Sequence, residues 1–301
     1  MRWLWIAFAG VACSSSPSND LAPTDAGINA DARADVRAEA SVEAEPPFEC
    51  NACSTELSGE PVPASWQCIK TLDAQVVELD GRPIEGVVLM ACSPARCVHN
   101  DSDVNGKVHL EQCAWLPQPS FRVVGFDRFV QFAVPMRNPT TEFSFSNVPL
   151  VHLPEKGVPI EMGKAQKLTQ NGATLELLAG EKNIVVDEFG PYADFRAVEL
   201  PADRLIPGLD AGYGFGVVYE LGPQNTELSP PAKLTLPNRR GWAAGTVVEL
   251  YLQNYDTGKG APVDIGEWYL ASGGKVTDDG VSIVTDTGIP RLSLVGVRKK
   301  P

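Results

Sequence analysis

Six cysteines, Cys50, Cys53, Cys68, Cys92, Cys97 and Cys113, fall within 64 residues of this 301-residue chain, and none follows. In an exported chain such crowding reads as three disulfides stapling one domain, and fifteen connectivities are open. A rival reading is metal, because Cys50-x-x-Cys53 and Cys92-x4-Cys97 resemble the paired knuckles of a zinc site. A redox role for the Cys-x-x-Cys pair is weaker still, since no strand–helix pattern surrounds it. Thiolates do not persist in an oxidising compartment, so the choice turns on where the chain resides. The disulfide reading, with no metal and no cofactor, is adopted.

The first thirteen residues bear on that question. Met1-Arg2 is followed by an apolar run from Trp3 to Ala12, with small residues at Gly10 and Ala12, and then by Cys13. The run is shorter than the roughly 20 apolar residues that span a bilayer. It resembles a bacterial lipoprotein signal, which implies a leader over 1–12, removal of that leader, and a lipid on Cys13. Seven cysteines are then one for the lipid and three pairs. The resemblance implies a lipid-anchored protein of the bacterial cell envelope, at the outer membrane or its periplasmic face; an ordinary secretory cut after Ala9 or Ala12 is the alternative.

Residues 13–49 are expected to be a disordered tether. Eight Asp/Glu and two Arg lie between Ser14 and Glu49 among Ala, Ser and Pro. Its few sizeable apolar residues cannot offset the entropy of ordering it. A chain of that length has a reach of roughly 30–36 Å, enough to lift folded parts off a membrane. The whole chain carries a formal net charge of -13, and its basic residues cluster only at Arg239-Arg240 and Arg298-Lys299-Lys300. The second of these reads as a solvated tail. No basic stretch is long enough to track phosphates, so no nucleic acid is expected as partner.

From Cys50 to Leu153 the period is two. Strands are expected over 72–79, 84–92, 104–110, 121–126, 129–134 and 142–148, with turns at Asp80-Gly81-Arg82-Pro83 and Asp103-Val104-Asn105-Gly106. Val76–Leu89 followed by Ser102–Leu110 resembles the carboxypeptidase regulatory-like, or transthyretin-like, module, which implies a non-catalytic seven-stranded sandwich. The Cys92–Cys97 segment intrudes on that pattern as a loop. Asp101-x-Asp103-x-Asn105-Gly106 also has the start of a calcium loop, but the twelfth position is Gln112 rather than Glu, and a hairpin turn is the better reading. His99, His109 and His152 are scattered, with His109 on a strand between Val108 and Leu110.

A second domain is expected over 154–301. Short β-branched or aromatic segments bounded by Gly, Pro or Asn recur at 167–180, 198–202, 216–219, 232–238, 246–251 and 266–269. The fold class is therefore all-β, as two β-sandwich (Ig-like or transthyretin-like) domains at 50–153 and 154–301. Gly172–Gly180 with Pro230–Asn238 resembles a ZU5-like sandwich, and Gly245–Leu252, Gly266–Trp268 and Gly274–Ile283 are similar to the plug-like region of teneurins and bacterial Rhs-type surface proteins. Both imply extracellular structural or interaction modules. The His-hydrophobic-Ser tripeptide at which some ZU5 proteins cleave themselves is missing, so self-cleavage is not implied.

Catalysis is poorly served. His-Glu-x-x-His and Gly-x-Ser-x-Gly are absent, and Gly212-Tyr213-Gly214-Phe215-Gly216 lacks the glycine spacing of a dinucleotide loop. The expectation is a non-catalytic envelope lipoprotein that acts as a structural or protein-interaction module with an envelope or extracellular protein partner. The alternative is carbohydrate or peptidoglycan binding, with Trp242, Tyr251, Tyr255, Trp268 and Tyr269 as candidate stacking residues. Because Tyr251 and Trp268 sit in strands beside apolar residues, a core role is favoured for these rings.

Overall fold

Alternation of apolar and polar side chains puts one face of a strand on a core and the other in solvent. That pattern runs through many of the described strands. The computed structural model describes residues 53–301 apart from 54–55, 58–59, 64–65, 95, 126–127, 138–139, 162, 180–193, 202–203, 206–208, 210–211 and 256–261. The expected leader, Cys13, the tether and Cys50 lie outside the described residues. Among the described residues there are twenty strands and no α-helix, so the chain is all-β.

A short hairpin, β1 (Glu56–Leu57) and β2 (Glu60–Pro61), precedes the long strand β3 (Trp66–Glu78). Then come β4 (Val88–Cys92), β5 (Cys97–Asp101), β6 (Lys107–Pro117), β7 (Ser120–Val124), β8 (Phe132–Pro135) and β9 (Glu142–Leu150). They form a three-stranded sheet ordered β6-β3-β9, with β3 and β9 parallel, and a four-stranded sheet ordered β5-β4-β7-β8. Leu72, Ala74 and Val76 of β3 meet Leu89, Phe121, Val123 and Phe132 of the other sheet in one core. The Cys92–Cys97 segment, expected as an intruding loop, is instead the closed end of the β4–β5 hairpin. Cys92 and Cys97 are register partners joined by a disulfide, and Ser93 N–H donates to the Arg96 carbonyl at 2.8 Å. A second disulfide joins Cys53 to Cys68, and Cys113 is disulfide-bonded as well.

The remaining strands are β10 (Val158–Pro159), β11 (Gln166–Gln170), β12 (Ala173–Leu177), β13 (Asp194–Leu200), β14 (Val217–Gly222), β15 (Glu227–Pro237), β16 (Val247–Gln253), β17 (Trp268–Val276), β18 (Ser282–Thr285), β19 (Ile289–Arg291) and β20 (Leu294–Lys299). All join a single 11-stranded sheet ordered β10-β13-β14-β20-β16-β17-β18-β15-β12-β11, with β19 on β15. The sheet rolls until its ends meet. There, side chains of the β11–β12 turn stand in for a strand: Gln170 Oε1 accepts from Ala197 N at 2.9 Å, and Asn171 Nδ2 donates to the Ala197 carbonyl at 2.8 Å. Asn171 and Gly172 hold φ of 48° and 84°, the left-handed pair that a two-residue hairpin needs. Leu175, Tyr219, Leu234, Leu250, Ile283 and Val297 fill the interior. Arg298 and Lys299, expected in a solvated tail, end the central strand β20, which lies between β14 and β16.

The two halves share apolar packing. Leu200, Leu209, Phe215, Val218, Trp268 and Leu294 belong to the same core as Leu72 and Phe132. Residues on both sides of the expected boundary at 153/154 thus contribute to one core, and the described residues fall in one compact unit.

Candidate functional site

The outer face of the three-stranded sheet collects the polar side chains that its inner face excludes. Asp73 on β3 is the register partner of His109 on β6 and of Ser144 on β9, so the three lie in a row across the sheet. His109 Nδ1 is 2.7 Å from Asp73 Oδ1, and its Nε2 is 3.5 Å from Glu111 Oε1. The Asp73 hydrogen bond, together with the charges of Asp73 and Glu111, raises the imidazole above its ordinary pKa. An open groove of about 450 Å³ runs over this row, lined by Asp73, Gln75, Lys107, His109, Ser144 and Ser146.

The row is not a nucleophile and its base. Ser144 and His109 are two strand spacings apart, on the order of 10 Å, with Asp73 between them. The imidazole reaches a carboxylate on each side and does not reach the hydroxyl, whereas acyl transfer needs serine and histidine in direct hydrogen-bond contact. The groove offers hydrogen-bond donors and acceptors rather than an activated nucleophile. Among the described residues no group of three His, Cys, Asp or Glu side chains is arranged to hold a metal ion. The calcium-like stretch is a hairpin turn: Asp103 Oδ1 accepts from the amides of Asn105 and Lys107, both at 2.8 Å, and these bonds lower its pKa.

The five candidate aromatics do not share a surface. Tyr251 and Trp268 enter a cluster with Tyr213 and Phe215, in which Phe215 lies 4.7 Å from Trp268 and 5.8 Å from Tyr251, centroid to centroid. Gly296 makes this possible, since a Cβ there would come within 2.6 Å of the Phe215 ring. Trp268 is 4 % exposed, and its Nε1 donates to the Leu209 carbonyl at 2.6 Å. Tyr255 is 6 % exposed, and its hydroxyl donates to the Val123 carbonyl at 3.3 Å. Trp242 and Tyr269 are half-buried against the core of the 11-stranded sheet. Arg298 closes the aromatic cluster from outside: it lies 4.8 Å from the Tyr251 ring, and its Nη2 donates to Glu249 at 2.9 Å and to the Tyr251 hydroxyl at 2.7 Å. This bond to Arg298 lowers the pKa of Glu249.

Sequence reading missed Asp73, Tyr213, Phe215, Glu249 and Arg298 in these roles. The alternating glycines and aromatics of 212–216 were the visible signal. They mark a segment whose rings all pack to one side, but only the strand order shows that this side meets Tyr251, Trp268 and Arg298. Compared with known proteins, the chain matches no protein-family model and no curated protein sequence.

Proposed function

We propose that this chain is a non-catalytic, lipid-anchored protein of the bacterial cell envelope whose folded part serves as a structural or protein-interaction module. Its cysteines carry the reading. Pairs such as Cys53–Cys68 and Cys92–Cys97 form and persist in oxidising compartments, which agrees with an exported chain whose Cys13 is acylated. On this reading 50–153 is a transthyretin-like sandwich and 154–301 a ZU5-like or plug-like one, both lifted from the membrane by residues 13–49. Mass spectrometry of the native N-terminus is the test. A diacyl- or triacyl-modified Cys13 supports the reading, and a retained Met1 on a chain with six reduced thiols at 50–113 defeats it.

A second reading, carbohydrate binding, draws on one observation. The groove over Asp73, Gln75, His109 and Ser144 presents paired donors and acceptors of the kind that hydroxyl-rich ligands need. Glycan-array binding that is lost in Asp73→Asn and His109→Ala would favour it over the protein-partner reading.

A further inference from the structure

The cations that the sequence scatters are gathered by the fold at one rim of the 11-stranded sheet. The loop after β15 carries Arg239, Arg240 and Trp242. It is pinned to the β17–β18 turn by Asn238, whose N–H donates to the Val281 carbonyl and whose Nδ2 donates to those of Gly280 and Trp242, at 2.7 to 2.8 Å. Arg240 Nε donates to the Gly216 carbonyl at 2.5 Å, next to the Trp242 ring. Lys299, at the end of β20, places its Nζ 5.9 Å from that ring, and Lys300 N–H donates to the Val247 carbonyl at 3.1 Å. The rim therefore holds Arg240 and Lys299 beside a half-buried tryptophan, with Lys300 next in the chain on the Glu249 side.

Two features set it apart from an ordinary charged surface. First, most neighbouring carboxylates are already engaged: Glu199 by Arg239, Glu249 by Arg298, and Asp279 by Thr277 and the Val281 amide. Arg240, Lys299 and Lys300, by contrast, form no ion pair among the described residues. Second, Val247 and Val281, at 53 % and 63 % exposed, project beside these cations. Basic side chains around a tryptophan and exposed aliphatic tips suit the headgroup layer of a lipid bilayer, where cations meet phosphates and apolar tips enter the acyl boundary. A protein of net charge -13 is repelled at long range, but a Debye length of about 8 Å at physiological salt hides the distant acidic surface and leaves the rim to act locally.

We propose that this rim docks on an anionic lipid surface through Arg240, Lys299, Lys300 and Trp242. The proposal is independent of the lipid on Cys13. It is tested by flotation of the full chain carrying Cys13→Ser, so that no acyl chain contributes, with phosphatidylcholine vesicles containing 0 or 30 mol % phosphatidylglycerol (about the range over which basic patches respond). Binding is expected only with the anionic vesicles and should weaken as salt rises. At roughly fivefold in affinity per lost cation, Arg240→Gln/Lys299→Gln/Lys300→Gln is expected to lower partitioning on the order of a hundredfold with an unchanged melting temperature. Val281→Asp, at an exposed turn, is expected to weaken it as well. Equal partitioning of the parent and triple variant, failure of the parent to bind, or binding abolished by millimolar inorganic phosphate would each overturn the proposal.

Discussion

The side chain of Gln253 hydrogen-bonds both backbone groups of Ala133, a residue 120 positions away. Its Nε2 donates to the Ala133 carbonyl at 2.8 Å, and its Oε1 accepts from Ala133 N–H at 3.2 Å. Ala133 lies on β8, the edge strand of the four-stranded sheet, and Gln253 ends β16 of the 11-stranded sheet. A primary amide has the same donor and acceptor as a peptide group, so Gln253 extends the ladder past its last strand. The same seam contains Gln224, whose Nε2 donates to the Gln131 carbonyl at 2.6 Å, and Tyr255 over Arg122 at 5.3 Å.

Removing that amide is expected to be costly. Gln253 is 2 % exposed, so Gln253→Ala leaves a buried N–H and a buried C=O without partners, at about 1–3 kcal/mol each. For a folded unit of this size that corresponds to a fall of roughly 4–20 °C in melting temperature. Because both halves share one core, the parent should melt in a single transition. Calorimetry checks both statements, and a Gln253→Ala melt within a degree or two of the parent would show that the seam does not depend on this bond.

The strands were largely legible and their partners were not. Period-two alternation locates β3, β4, β6, β12, β15 and β16, because each has one face on a core. It fails for β5, where Cys97 through Asp101 are mostly exposed and no apolar stripe exists. It fails again for β20, whose Leu294-Val295-Gly296-Val297 run is buried on both faces and so shows no alternation. The row Ser144–Asp73–His109 was invisible for a different reason. Its members lie 36 and 71 positions from Asp73, and only the parallel pairing of β3 with β9 sets them side by side.

His109 gives a pH-dependent readout of that row. Its folded pKa is raised above the ordinary histidine value by Asp73 and Glu111. The stabilisation is thus fully present below the unfolded value and is lost as pH rises through the folded one. Two-dimensional NMR titration of the imidazole is expected to give a pKa above about 6.5, and Asp73→Asn should bring it back towards that value. His109 is largely exposed, so the effect on stability is expected to be small. An unchanged titration in Asp73→Asn would show that the 2.7 Å contact does not persist in solution.

The cysteines make a connectivity prediction. Peptide mapping without reduction should recover Cys53 linked to Cys68 and Cys92 linked to Cys97. Cys113 is disulfide-bonded too. In the chain-entropy picture, loops with separations of 15 and 5 residues are worth about 3 and about 2 kcal/mol. Cys53→Ala/Cys68→Ala should therefore lower the melting temperature more than Cys92→Ala/Cys97→Ala. The opposite order would mean that the β4–β5 hairpin, rather than the N-terminal segment, limits stability.

Glu220 is a carboxyl buried in the fold, and substituting it should help. It is 1 % exposed on β14, facing the seam, and Gln224 Nε2 is its hydrogen-bond donor at 3.1 Å. Burial pushes its pKa well above the ordinary carboxylate range. Between the unfolded and the raised folded value the native state holds a proton that the unfolded state has released. Stability therefore falls as pH rises through that interval. Glu220→Gln keeps the shape and can still accept from Gln224, but it has no charge to desolvate. The variant is expected to match the parent near pH 4 and to melt higher at pH 8, with the gap widening steadily between those values. Parallel melting curves over the whole range would mean that the Glu220 carboxylate is solvated or paired at neutral pH, contrary to its position between the two sheets.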